Sequence, residues 1–154
     1  MNPPVLVDTS VWIDHLRSGQ SAASDQLALW LGDDPDRVLL NEVVVTELLR
    51  GVRADADAED LLATLDKLAQ ADPLGRDDWL LSARIYRACR HAGLTIRLPM
   101  DCLIAAHAIR LNVSVLAIDR DFEAIATCTP LVLHQPTAQS LRQAQDDRAL
   151  RQAQ

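Results

Sequence analysis

The fold is decided by the stretch Pro4-Val-Leu-Val-Asp8 and its continuation, Thr9-Ser-Val-Trp-Ile-Asp-His-Leu16. The first part is a short apolar run that suits a buried strand, and it ends in an acid. The second part spaces its apolar residues as a helix does, with Thr9 or Ser10 available as a cap and Gly19 as a stop. The stretch therefore predicts a buried strand that leads directly into a helix.

The same strand-to-helix pattern recurs along the chain. Asn41 is a good N-cap for a helix over 42–50, and Gly51 supplies its end. Further helices are predicted at 22–31, 57–68, 76–92, 101–110 and 121–126, and further strands at 37–40, 113–118, 131–133 and, ambiguously, as an edge strand at 71–74. Strands that alternate with helices predict an α/β domain with a mostly parallel, five-stranded sheet and helices on both faces.

Length and composition suit one domain. The chain has 154 residues, and 49% of them are hydrophobic, which is enough for a sizeable core. We assign residues 1–134 to that domain. From Gln135 onward Gln, Ala and Arg dominate, so we expect 135–154 to form a mobile or marginally helical tail.

The chain carries no sign of export or of a membrane span. No apolar run approaches the roughly 18 residues that a span needs, and no basic segment precedes the first apolar run. We therefore expect a cytoplasmic protein. The three cysteines lie far apart in sequence and form no C-x-x-C motif, so neither a disulfide framework nor a zinc site is expected.

The formal net charge of −7 argues at first sight against a nucleic-acid partner. Net charge is a weak guide, however, when acids are concentrated at one site and bases lie elsewhere. Lys67 is the only lysine, and arginine binds phosphate well; a GC-rich genome would equally explain the excess of arginine. The candidates for phosphate contact, each with a solvated face or an ion pair as its alternative role, are Arg17, Arg50, Arg53, Arg97 and Arg120.

Four acids are candidates for one site, and two of them, Asp8 and Asp119, are predicted to lie at the carboxyl ends of strands, where a parallel sheet places its sites. Asp8 and Asp119 end predicted strands, Asp101 begins a predicted helix, and Glu47 lies six residues past the N-cap Asn41. Singly, each acid could be a cap, a turn or a solvated side chain. Gathered together they would repel one another by roughly 4 kcal/mol per pair at 4 Å, so such a cluster binds a cation or holds protons. Oxygen ligands suit Mg²⁺ or Mn²⁺, which activate water against phosphate esters.

The sequence motifs around these acids resemble those of a known protein family. The segments are Val7-Asp-Thr-Ser-Val-Trp-Ile-Asp14, Thr46-Glu-Leu-Leu-Arg-Gly51, Asp101-Cys-Leu-Ile-Ala-Ala106 and Asp119-Arg-Asp-Phe122. They are similar, in order and spacing, to the four motifs of PIN-domain nucleases, and most of all to the VapC toxins of bacterial toxin–antitoxin pairs. The resemblance runs from about Val5 to Leu133.

The resemblance implies a PIN-like fold and metal-dependent cleavage of RNA. It assigns Asp8, Glu47, Asp101 and Asp119 as the catalytic and metal-binding acids, with Mg²⁺ or Mn²⁺ as cofactor. Asp121 matches a more variable acid, and it is auxiliary, as are the hydroxyls of Thr9 and Ser10. The resemblance also implies a small antitoxin protein that covers the active-site groove, and a homodimer.

Two other classes of protein compete with this interpretation. A receiver-type phosphoacceptor domain has a similar acidic pocket but needs a lysine beside it, and Lys67 falls in a midchain helix. A catalytically silent binding module would keep the fold to hold a partner, yet all four acids are present. The four histidines and three tryptophans are scattered, and we expect them to be structural rather than catalytic or base-stacking.

Overall fold

The computed structural model describes residues 2–137, 141–142, 145–146, 149–150 and 152–153. The predicted tail over 135–154 therefore lies partly outside the described residues, and its mobility stays a prediction. Among the described residues, no helix combines the length and the apolar character that crossing a membrane requires.

The sheet consists of four short parallel strands in the described part of the chain. These are β1 (Val5–Val7), β2 (Val38–Leu40), β3 (Ala69–Gln70) and β4 (Ser114–Leu116), in the order β3-β2-β1-β4. Every residue of β1 and β2 is buried. Because successive side chains of a strand point to opposite faces, this burial means that both faces of the sheet are covered. The predicted α/β fold is confirmed.

The predicted number of strands is wrong by one. The run at 131–133 forms only a single parallel bridge, between Val115 and Leu133, rather than a fifth strand. The ambiguous run at 71–74 is not the edge strand, which lies two residues earlier at Ala69–Gln70. Proline explains the second difference, because Pro73 lies inside the run at 71–74 and cannot donate a ladder hydrogen bond.

Seven α-helices connect and cover the strands in the described residues. They are α1 (Thr9–Leu16), α2 (Ala22–Asp33), α3 (Glu42–Gly51), α4 (Asp55–Leu65), α5 (Arg76–His91), α6 (Pro99–Leu111) and α7 (Arg120–Cys128), with a 3₁₀ turn at Pro35–Arg37. The predicted cap of α3 is confirmed, since Asn41 Oδ1 accepts a 3.0 Å hydrogen bond from the backbone N–H of Val44. Asn112 ends α6 in the left-handed conformation, at φ 54°.

Helix α6 runs through the middle of the core. Every residue from Asp101 to Ala108 is buried, as expected of a helix enclosed on all sides. His107 is among them, and its two ring nitrogens pair with the Asn41 amide (3.2 Å) and the Asp72 carbonyl (2.8 Å). The histidine is therefore structural, and the helix holds Asp101, in its first turn, at a fixed place.

Candidate active site

Asp8 is positioned by the junction between β1 and α1. It is the N-cap of α1 in an extended conformation, and its side chain is 3% exposed. Asp8 Oδ2 accepts hydrogen bonds from the backbone N–H (2.9 Å) and the hydroxyl (2.5 Å) of Ser10. Burial raises the pKa of Asp8, while the Ser10 hydrogen bonds oppose that rise and nearby Glu47 adds to it. Ser10 thus orients the first acid and stabilises its charge.

Glu47 reaches the same place from partway along α3. Thr9, the first residue of α1, donates a hydrogen bond of 2.5 Å from its hydroxyl to Glu47 Oε2. This bond joins two elements that are 38 residues apart in sequence. Thr9 therefore fixes the glutamate relative to Asp8, which neighbours it in the chain.

One carboxylate oxygen of Asp101 has no hydrogen-bond partner among the described residues. The residue is 5% exposed, and its buried Oδ2 has no hydrogen-bond partner within the described structure. Burial raises the pKa of Asp101 to about 8, and the charges of Asp8, Asp119, Asp121 and Glu47 add to the effect. A buried carboxylate oxygen without a partner is costly, so Asp101 either keeps its proton or is a candidate ligand for a cation.

Asp119 and Asp121 complete the cluster from the start of α7, where Asp119 is the N-cap and Asp121 lies in the first turn. Asp119 caps α7, and its Oδ1 accepts a 3.0 Å hydrogen bond from the backbone N–H of Asp121. One carboxylate oxygen from each of Asp101, Asp119 and Asp121 lies within 4.8 Å of the others. Arg97 pairs with both Asp119 and Asp121 at the edge of this trio.

The four principal acids named from the sequence share one cavity. Its volume is about 470 Å³, and it is lined by Asp8, Thr9, Ser10, Ile13, Glu47, Arg50, Gly51, Leu98, Asp101 and Asp119. Asp121 is absent from the lining, although one of its carboxylate oxygens lies within 4.8 Å of oxygens on Asp101 and Asp119. The cavity lies beyond the carboxyl ends of β1 and β4, the address at which parallel sheets bind ligands.

The residues of this cavity fit a divalent cation. Every candidate ligand is a carboxylate, a donor set that suits Mg²⁺ or Mn²⁺ rather than zinc. Without a cation the acids repel one another, and the raised pKa of Asp101 is the result of that repulsion together with burial. The Oδ2 of Asp101, which has no partner among the described residues, is consistent with a role as a cation ligand.

The five candidate arginines occupy different surroundings. Arg50 lines the acidic cavity, and Arg17 lines a smaller neighbouring one that also contains Glu47. Arg97 is held by acids rather than free for phosphate. In the described part of the chain, Arg53 and Arg120 are exposed and line neither of these two cavities. Among these five, Arg50 is the one that lines the acidic cavity, and it forms no ion pair among the described residues.

Sequence reasoning missed the pairing of Arg97 with Asp121. Backbone N–H and Nε of Arg97 donate to the two oxygens of Asp121, at 2.8 and 3.2 Å. The two residues lie 24 apart in sequence and share no motif spacing. The pair arises only because the segment between α5 and α6 meets the start of α7.

Comparison with known proteins identifies relatives across most of the chain. The sequence profile of the PIN domain matches residues 5–127. The chain is 35% identical over 127 residues to VapC ribonuclease Mb1587 of Mycobacterium bovis, which covers 82% of this chain and 95% of the relative. It is equally similar to ribonuclease VapC11 of Mycobacterium tuberculosis, with the same identity and coverage.

Solved structures show the same fold at lower sequence identity. VapBC-1 from nontypeable Haemophilus influenzae is 17% identical with a TM-score of 0.65, over 85% of this chain and 96% of that one. VapBC2 from Rickettsia felis, solved with a DNA fragment from its promoter, is 18% identical with a TM-score of 0.64, over 84% and 96%. These structures support the topology described above.

Proposed function

Because the chain belongs to the PIN-domain family, we propose that it is a Mg²⁺- or Mn²⁺-dependent endoribonuclease and the toxin component of a toxin–antitoxin pair. The observation that carries this proposal is the cavity that Asp8, Glu47, Asp101 and Asp119 line together, in which Asp101 also has a buried carboxylate oxygen without a hydrogen-bond partner among the described residues. The relatives that carry the name ribonuclease support RNA as the substrate.

We assign Asp8, Asp101, Asp119 and Glu47 as the residues that would hold the cation. When bound, a divalent ion supplies Lewis-acid stabilisation of phosphate charge and makes water a stronger nucleophile. Ser10 orients Asp8 through its two hydrogen bonds, which favour the ionised carboxylate and oppose the rise in its pKa that burial causes. Thr9 holds Glu47 against the same cavity wall.

Arg50 would bind and orient the RNA backbone. It lines the cavity, and it forms none of the ion pairs found in the described part of the chain. Its guanidinium is therefore available to neutralise a phosphate that the surrounding carboxylates would otherwise repel. Ile13 and Leu98 also line the cavity, and their apolar side chains would exclude water from part of it.

RNA cleavage by the purified chain tests this proposal. End-labelled RNA should be cut internally in Mg²⁺ or Mn²⁺ and left intact in EDTA. Asp8→Asn should abolish the cleavage, whereas Asp60→Asn, which removes an equal charge from the exposed surface of α4, should leave it unchanged. Activity that survives both EDTA and Asp8→Asn would refute the assignment, and a complete lack of activity would favour the silent binding module.

The proposed partners follow from the relatives. The solved VapBC structures support an antitoxin partner. We propose that this partner is a small protein that covers the active-site groove. We also propose a homodimer, which would pool arginines that one acidic subunit presents sparsely, and a cytoplasmic location, where RNA is available. Light scattering on the purified chain tests the homodimer directly, because a measured mass equal to that of one chain would contradict it.

A further inference from the structure

Arg97 is an exposed residue with an unusual number of acidic contacts. Its side chain is 64% exposed, yet its Nη2 donates to Asp119 Oδ1, and its Nε donates to Asp121 Oδ1 at 3.2 Å. Its backbone N–H donates to the remaining oxygen of Asp121 at 2.8 Å. The guanidinium thus bridges two acids of the cluster.

Asp121 is engaged through both of its oxygens by this one residue. It is 6% exposed and does not line the cavity. A carboxylate fixed in this way acts as an anchor for the arginine rather than as a free ligand for a second cation. Asp121 therefore brings a positive charge to the edge of the cluster.

Asp119 is the acid that the Arg97 guanidinium and a bound divalent ion would share. It lines the cavity, and one of its oxygens lies within 4.8 Å of ligand atoms on Asp101 and Asp121. Its Oδ1 already accepts hydrogen bonds from Arg97 and from the backbone N–H of Asp121. A divalent ion at Asp101 and Asp119 must therefore bind beside a guanidinium that neutralises the same carboxylate, and like charges at one acid weaken each other's binding.

We propose that Arg97 competes with the divalent cation for Asp119, and that Asp121 holds it there, so that Arg97 is a positioning residue that sets the cation affinity of the cavity. This inference rests on the proposed function, because it requires the cavity to bind a cation. Since coupling between two binding events is reciprocal, cation binding weakens the Arg97–Asp119 pair by the same factor. The freed Nη2, with Arg97 still anchored on Asp121, then has a donor available for an RNA phosphate.

Calorimetric titration of Mn²⁺ into the full chain at low ionic strength tests the proposal. Arg97→Gln should bind Mn²⁺ about five-fold more tightly than the parent chain, the size expected from loss of one partly exposed ion pair. Arg50→Gln is the matched control, because it removes the same charge from the same cavity without removing an ion pair seen in the described residues. Its affinity should change less than about two-fold.

Arg97→Lys separates the contact from the charge. Lysine keeps the positive charge but lacks the fork that reaches both carboxylates, so its Mn²⁺ affinity should fall between those of the parent and Arg97→Gln. A lysine variant that binds Mn²⁺ no more tightly than the parent would overturn the bridging contact as the cause.

The outcomes also distinguish this inference from the function on which it rests. Mn²⁺ binding by the parent that Arg97→Gln does not tighten beyond Arg50→Gln would overturn the competition and leave the cation site intact. No Mn²⁺ binding by any of the chains would overturn the competition and the metal-dependent function together. Because Arg97 is largely exposed, circular dichroism of the variants should match that of the parent.

Discussion

Replacing Asp101 by asparagine should stabilise the cation-free protein at neutral pH. With its pKa raised to about 8, the folded state keeps the proton of Asp101 at pH 7, whereas the unfolded chain, with a value near 3.8, has released it. The folded state therefore binds more protons than the unfolded state between these values, and stability falls as pH rises through this window. Asparagine removes that dependence, because it has no proton to release.

The size of the effect follows from the width of the window. About three pH units separate the unfolded pKa from pH 7, and each is worth about 1.4 kcal/mol, so the gain is at most about 4 kcal/mol. For a domain of this size each kcal/mol corresponds to about 2–4 °C in Tm. We expect Asp101→Asn to raise Tm in EDTA at pH 7 by about 5–15 °C, and to change it little at pH 4.

Urea unfolding in EDTA from pH 4 to pH 9 measures this dependence. The difference in unfolding free energy between Asp101→Asn and the parent should be near zero at pH 4, grow through pH 7 and level off above pH 8. Saturating Mg²⁺ should then stabilise the parent and leave the variant almost unchanged. Asp60→Asn, on exposed α4, is the control and should differ from the parent by less than about 0.5 kcal/mol at every pH. A variant that is destabilised at pH 7, or a difference that ignores pH, would refute the reasoning.

Three further substitutions test the supports of the site and the fold. Thr9→Val removes the hydrogen bond to Glu47 and should lower kcat about ten-fold. Thr9→Ser keeps the hydroxyl and should restore kcat. An unchanged kcat in Thr9→Val would show that Thr9 does not position Glu47. Arg50→Gln should raise KM for RNA, because Arg50 lines the cavity. It should also reduce, by about one, the slope of log binding constant against log salt concentration, measured by fluorescence anisotropy. A slope equal to that of the parent chain would contradict a contact between Arg50 and phosphate. Asp78→Asn should cost about 1–3 kcal/mol in urea unfolding, because it weakens the 2.7 Å pair with Arg110. Burial raises the pKa of Asp78, but hydrogen bonds from Arg110 and the backbone outweigh it and lower the pKa below its usual value. The stability that the ionised Asp78 contributes is therefore present above about pH 4 and is lost as pH falls. If Asp78→Asn still destabilised the protein in acid, this assignment would be contradicted.

The framework of the fold could be predicted because local sequence determines it. The run before Asp8 has no polar residue to expose, and Asn41 and Asn112 mark helix ends by their own side chains and backbone preferences. The fifth strand could not be judged in this way. Whether Leu133 pairs over one residue or several depends on how the chain after Pro130 returns to β4, which no local pattern records.

The acidic site was predictable to the extent that topology requires it. Asp8 directly follows β1 and Asp119 comes three residues after the end of β4, and because these two parallel strands pair, the sheet brings both acids to one edge. Glu47 depended on the family resemblance, because its position midway along a helix gives no direction on its own. The contact between Arg97 and Asp121 could not be predicted from the sequence, because it depends on the packing of an irregular segment against α7.

Crystallographic location of Mn²⁺ by its anomalous scattering tests the central claim most directly. Crystals of the full chain soaked in Mn²⁺ should show a peak inside the cavity, at bonding distance from carboxylate oxygens of Asp101 and Asp119, with Asp8 and Glu47 facing the same ion. The peak should vanish in Asp101→Asn crystals treated identically. A cavity without anomalous density, or a peak bound only by surface acids elsewhere, would contradict the account.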